Sequence, residues 1–177
     1  MDELALNILD IAYNSIRAKA TLIRIDIEDS QKDNRISITI EDNGKGMDSQ
    51  TVTQVTDPFY TTRSTRKVGL GIPLLKQNAE LTGGKLQIVS QINHGTRVDV
   101  WFVKNHIDTP VMGNLIETMI TLIQADEKID YELKYKTDEF CFEMKTQDMK
   151  EILGDVKITE PEVLMWLKDY MKEGLNK

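Results

Sequence analysis

The stretch Asp42 to Met47 (DNGKGM) constrains this chain more than any other. The residues before it, Arg35 to Glu41 (RISITIE), alternate apolar and polar, as a strand with one buried face does. The Asp42 carboxylate is thereby placed at a strand end. Gly44 and Gly46, at alternate positions, let the backbone turn sharply and come close to a flat ligand. Asp-Asn-Gly is also ordinary turn chemistry, so the motif takes its meaning from its neighbours.

The chain has 177 residues, a formal net charge of −7 and one cysteine, Cys141. That length suits one domain, or a main domain with a small appendage. An acidic balance is the wrong sign for neutralising nucleic-acid phosphates or anionic lipid, so neither nucleic acid nor membrane is expected as a partner. One cysteine excludes an internal disulfide and fits a reducing compartment. The acidic, amphipathic start lacks the form of a signal peptide, and no apolar run reaches the length of a membrane span. The expectation is a soluble, cytoplasmic protein.

Residues 2–19 read as a helix, with Leu4, Ile8, Leu9, Ile11, Ala12 and Ile16 on a broad apolar face. Asn7, Asp10, Asn14 and Arg17 fall on one stripe of that helix. The stripe is either a solvated face with local pairs or a face turned to a ligand. In the second case Asn14 offers an oxygen to Mg²⁺ and Arg17 lies near phosphate. Leu22 to Glu28 and Arg35 to Glu41 read as a hairpin, and Asp48 or Ser49 as the cap of a short helix reaching Val55. Thr56 to Val68 is polar, basic and aperiodic, with an apolar foot at Phe59 and Tyr60, and reads as a functional loop. Gly69-Leu70-Gly71 opens a helix over 72–81; such a start is an anion site or a glycine turn without a ligand. Lys85 to Gln91 and Thr96 to Val103 read as a second hairpin. The order predicts an α+β fold, a mixed sheet with helices on one face.

These residues resemble a known family. Residues 1–105 resemble the ATP-binding fold shared by gyrase, the large heat-shock chaperones, histidine kinases and the mismatch-repair ATPases (the GHKL, or Bergerat, fold), and come closest to the histidine-kinase form. Ile8 to Thr21 (ILDIAYNSIRAKAT) resembles the asparagine box, with Asn14 at the Mg²⁺-ligand position. DNGKGM, with Gly44, Gly46 and Met47, resembles the first glycine box, in which Asp42 would accept from the adenine amine. Asp57 to Thr65 (DPFYTTRST), with Phe59, Thr61 and Thr62, resembles the phenylalanine box. Val68 to Gly84, with Gly69, Leu70 and Gly71, resembles the second glycine box. His94 to Phe102 resembles the closing strand, which would place Thr96 near adenine. The resemblance implies a two-layer α/β sandwich of Bergerat type, with ATP and Mg²⁺ as cofactors. Two departures stand out. Lys67 occupies a position usually held by a further glycine, which implies a stiffer lid or a phosphate contact. Asp10 stands where a water-activating Glu is common and is one methylene shorter, so its reach decides its use.

Beyond residue 105 the resemblance stops. Residues 106–177 read as a small α+β region: a helix over 111–125, a β-hairpin around residue 138, a short helix capped by Thr146, and a last helix over 161–173. Thr159 and Glu162 have the spacing of a capping box. Val163, Trp166, Leu167 and Tyr170 form the last helix's stripe, either core or a partner surface. This region is expected to pack on the first domain or to form a homodimer interface. His106-Ile-Asp-Thr-Pro110 is one residue short of a phosphoacceptor box and follows the ATPase region instead of preceding it, so His106 and His94 read as exposed loop histidines. Three functions are compatible with the sequence: a stand-alone regulatory ATPase with slow hydrolysis acting on an unknown protein partner, a protein kinase acting on His or Ser/Thr of a partner, and a nucleotide-dependent interaction module without catalysis.

Overall fold

The computed structural model describes residues 3–57, 59 and 71–177. Leu4, Ile8, Ile11 and Ala12 line the buried face of helix α1 (Leu4–Arg17). In β1 (Leu22–Ser30), Ile23, Ile25 and Ile27 are buried while Arg24, Asp26 and Glu28 alternate with them in solvent. A period of two with one buried face is what a sheet covered on one side requires. β2 (Arg35–Asp42) follows with the same alternation, then α2 (Ser49–Val55), whose cap Asp48 accepts from the Thr51 N–H at 2.7 Å. Helix α3 (Gly71–Leu81) leads into the hairpin β3 (Lys85–Gln91) and β4 (Gly95–Val103). After these come α4 (Leu115–Ala125), β5 (Asp130–Thr137), β6 (Cys141–Lys145), α5 (Thr146–Leu153) and α6 (Pro161–Leu175).

All six strands join one sheet in the order β3-β4-β2-β1-β5-β6. Every neighbouring pair is antiparallel except β1 with β5, which run parallel from Leu22↔Asp130 to Asp29↔Thr137. Helix α1 packs on α3 and α4, and α4 on α6. One continuous apolar cluster runs from Ile8 and Ile25 to Met119, Leu133, Leu167 and Met171. The other sheet face carries half-exposed ion pairs such as Arg24–Glu132 at 2.8 Å and Lys136–Glu28 at 3.1 Å. Such pairs contribute little to stability; they keep that face wet. The architecture is the mixed-sheet α+β sandwich that the sequence predicts. Among the described residues no helix is long and apolar enough to cross a membrane.

Four local expectations fail, each for a physical reason. Helix α4 begins at Leu115 rather than Val111, because Val111 bridges to Glu3 and its carbonyl accepts the Leu4 N–H at 2.8 Å. That contact satisfies one of the free N–H groups at the start of α1, and the Met112 carbonyl takes the Ala5 N–H at 2.8 Å. Thr146 is no cap. It is fully buried, and its Oγ1 accepts the Tyr131 N–H at 2.8 Å, replacing the ladder bond that β6 is too short to supply. Thr159 donates to Glu127 at 2.6 Å, and α6 starts from Glu160 without a side-chain cap. The buried stripe of α6 is Leu164, Leu167, Met171 and Gly174, leaving Trp166 and Tyr170 outside.

Removing a partner from a buried N–H costs about 1–3 kcal/mol. Thr146→Val should therefore lower the free energy of urea unfolding by that amount. Thr146→Ser, which keeps the hydroxyl, should lose much less.

Candidate functional site

The ends of β2, β4 and β3 carry a row of polar side chains in register: Asp42 opposite Thr96, and Thr96 opposite Ser90. Residues opposite one another on neighbouring strands share a face. Two residues further in, the same face is apolar, with Ile40, Val98 and Ile88. Above these rows lies a cleft of about 280 Å³. Its lining includes Ile11, Asn14, Ser15 and Arg17 of α1, Asp42 to one side, Lys45, Gly46 and Met47 of the turn, Ile72 of α3, and Thr96. The space is apolar in its walls, with a few convergent polar groups, which is the usual composition of a small-molecule site.

Asp42 is only 9% exposed. Its Oδ2 accepts from the Ser15 hydroxyl at 2.6 Å and its Oδ1 from the Gly44 N–H at 2.8 Å. Each oxygen keeps acceptor capacity for one further donor. The neighbouring Asn43 ties the turn to the start of β1: its Oδ1 accepts from the N–H groups of Thr21 and Leu22 at 2.8 and 3.0 Å. The Lys45 N–H donates to the Ala18 carbonyl at 2.9 Å, fixing the turn against the end of α1. Gly46 has φ +66°, and a Cβ there would lie 1.9 Å from the Gln91 carbonyl oxygen, so conformation and space both demand glycine. The Met47 N–H donates to Ser90 Oγ at 2.8 Å, and that oxygen lies 2.8 Å from Thr96 Oγ1. Beside the cleft, the backbone N–H and hydroxyl of Thr51 hold the Asp48 carboxyl below its ordinary range.

The α1 stripe divides. Asn14 and Arg17 reach the cleft, and Asn14 Oδ1 accepts from Arg17 Nη1 at 3.0 Å. Asn7 is buried elsewhere and donates to the Glu3 carbonyl at 3.1 Å. Asp10 is not among the lining residues; its carboxylate stands against Gly71, where a Cβ would meet Oδ2 at 1.7 Å. The side chain of Asp10 is thus beside the start of α3, and Gly71 is required for that approach. Phe59 is 78% exposed, donates its N–H to Asp57 at 2.8 Å and does not line the cleft. Thr61, Thr62, Lys67, Gly69 and Leu70 lie outside the described residues. Reading the sequence missed Ser15 and Ser90. The available signal was a small polar residue on an otherwise apolar face: Ser15 falls in line with Leu4, Ile8 and Ile11, and Ser90 with Leu86 and Ile88.

Asn14 fits a hard-cation role by chemistry: a neutral amide oxygen on the cleft wall, able to supply one ligand while phosphates and water supply the rest. Among the described residues no cluster of three or more His, Cys, Asp and Glu is placed to hold a metal ion by itself.

Comparison with known proteins extends these observations. The sensor histidine kinase YvrG of Bacillus subtilis is 37% identical over 90 residues, 49% of this chain and 15% of that protein. The sensor histidine kinase ZraS of Escherichia coli is 27% identical over 104 residues, 59% of this chain and 22% of that one. The chain therefore spans only about a fifth or less of the length of these relatives. The MutL ATPase domain of Aquifex aeolicus, solved with ADP, superposes with a TM-score of 0.54 at 14% identity, over 86% of this chain and 69% of that one. The N-terminal domain of a DNA repair protein gives 0.56 at 17% identity, over 82% and 52%. These two likenesses concern the fold. The model of histidine kinase-, DNA gyrase B- and HSP90-like ATPases matches residues 1–106, and the chain belongs to that family.

Proposed function

We propose that this protein is a regulatory Mg-ATP-binding ATPase with slow turnover, whose nucleotide state controls a protein partner. The observation that carries the reading is Asp42, a carboxylate fixed by Ser15 and Gly44 at the foot of an apolar cleft, with Asn14 and Arg17 on the wall. Asp42 accepts from the exocyclic amine of adenine. Ile11, Ile40, Ile72 and Val98 take the faces of the base. Arg17 and Lys45 bring positive charge toward the phosphates. Asn14 holds Mg²⁺, which when bound screens and polarises phosphate oxygens. Asp10, beside the start of α3, orients the attacking water, and its short side chain keeps hydrolysis slow. A protein kinase is the second reading, favoured by the sensor histidine kinases among the relatives. Transfer to a partner does not require a water held by Asp10.

Hydrogen bonds to charged groups contribute about 1.5–3 kcal/mol. Asp42→Ala should weaken ATP binding by about tenfold or more with the fold intact, and Ser15→Ala should weaken it in the same direction by releasing the carboxylate. Calorimetric titration with ATP checks both; unchanged affinity in Asp42→Ala would remove the adenine contact.

Asn14→Ala should impair binding of Mg-ATP far more than binding of adenosine. Equal losses for the two ligands contradict a metal role.

Positioned acid–base groups contribute about 10²–10⁴-fold to rate. Asp10→Ala should abolish most phosphate release at saturating ATP while sparing binding, and Asp10→Glu should keep or raise it. Wild-type rates in Asp10→Ala would shift the balance to the kinase.

A further inference from the structure

Helix α6 has two apolar faces, and the core uses only one. Leu164, Leu167 and Met171 point inward, whereas Met165 is 67%, Trp166 54% and Tyr170 36% exposed. The outer face is ordered in advance. Tyr170 packs on Phe142 of β6 with ring centroids 5.5 Å apart, and Trp166 stacks on Tyr170 at 5.3 Å and 16°. A rigid aromatic pair loses little further freedom on being covered, and Trp and Tyr are the residues that most often dominate interfaces.

The charges nearest this pair are acidic, and the exposed Lys172 lies farther round the helix, at the rim beside Met165. Glu162, Asp169 and Glu173 fall on the same outer face at helical spacing and are exposed. None of the three enters an ion pair among the described residues, whereas Lys168, on the flank, is held by Glu117 at 2.9 Å. Anionic lipid is repelled by such a face. A second copy is disfavoured too, because a two-fold pairing of α6 with itself sets these carboxylates against each other. The ridge is 15 residues, roughly 22 Å, of straight helix, a length that suits another helix.

We propose that the outer face of α6 docks a basic amphipathic helix of a partner protein. Its apolar residues cover Met165, Trp166 and Tyr170, and its Lys or Arg side chains meet Glu162, Asp169 and Glu173. The face is connected to the nucleotide site through packed helices: α6 lies on α4, and α4 on α1, where the Thr118 hydroxyl donates to the Ala5 carbonyl at 3.1 Å. The proposal rests on the function given above only in taking this partner to be the one that nucleotide controls.

The test uses the full chain and a fluorescein-labelled model peptide of Leu and Lys with helical periodicity, beside a Leu/Glu counterpart, read by anisotropy. The wild type should bind the Lys peptide and not the Glu peptide. Trp166→Ser, which leaves every charge in place, should weaken binding about tenfold or more, and the triple change Glu162→Lys, Asp169→Lys, Glu173→Lys should transfer binding to the Glu peptide. Circular dichroism checks that α6 persists in each variant. Equal binding by wild type and Trp166→Ser would show mere attraction to an acidic protein and overturn the proposal. A dimer in sedimentation that Trp166→Ser dissolves would overturn it in favour of self-association. Asp42→Ala should bind the Lys peptide as the wild type does, so a failed nucleotide site and a failed docking face give different results.

Discussion

A carboxylate that is nine-tenths shielded from water must be compensated by donors, because an uncompensated buried charge is among the most costly features a fold can carry. Here the compensation is local. The Ser15 hydroxyl comes from α1 and the Gly44 amide from the turn that Asp42 itself begins. The carboxylate therefore fixes the distance between helix and sheet at the point where the cleft opens. The rest of the wall is held by contacts of its own: Asn43 pins the turn to β1, Lys45 pins it to the end of α1, and Met47 pins it to β3 through Ser90. A turn held to three elements presents its polar groups in one arrangement before any ligand arrives, which is what preorganisation means for binding.

Helix α1 has a second set of constraints at its other end. Its first N–H groups are taken by Val111 and Met112, and α4 packs along it with Thr118 bonded to the Ala5 carbonyl. The helix that brings Asn14, Ser15 and Arg17 to the cleft is thus held by residues from beyond the family's boundary. The structural likeness to the MutL ATPase domain, which covers more of this chain than the family match does, agrees with sheet and helices continuing past residue 106.

Much of this was legible in the sequence, because period two and period 3.6 are direct consequences of having one buried face. The strands of the three hairpins and the Asp42 turn are readable because their signals are local. What stayed hidden depended on partners far away in the chain. Thr146 looks like a cap until β6 is seen to end before Tyr131. The apolar pattern puts the stripe of α6 one position off, because Trp166 and Tyr170 are large apolar side chains like Leu164 and Met171; burial depends on what packs against them, and that is not written in the helix. Ser15 is hard to read beside Asn14, since a serine on an apolar face announces a partner without naming it. Asp10 shared the spacing of Asn14 and Arg17 but turned to Gly71, a distinction that helical periodicity is too coarse to make.

The parallel pairing of β1 with β5 has a consequence for how the chain is made. Arg24 and Glu132, neighbours across that seam, are 108 residues apart in sequence. Closing so long a loop costs entropy before any contact repays it, and folds dominated by such pairings form slowly. Until β5 is synthesised, β1 offers one complete row of unpaired backbone groups beside Ile23, Ile25 and Ile27, which is a template for wrong partners. The Asp42 turn and its sheet can assemble early from local hairpins, but β1 stays an open edge until the chain has been made as far as the end of β5 at Thr137. That interval, more than the stability of the finished fold, is when this chain is exposed to aggregation.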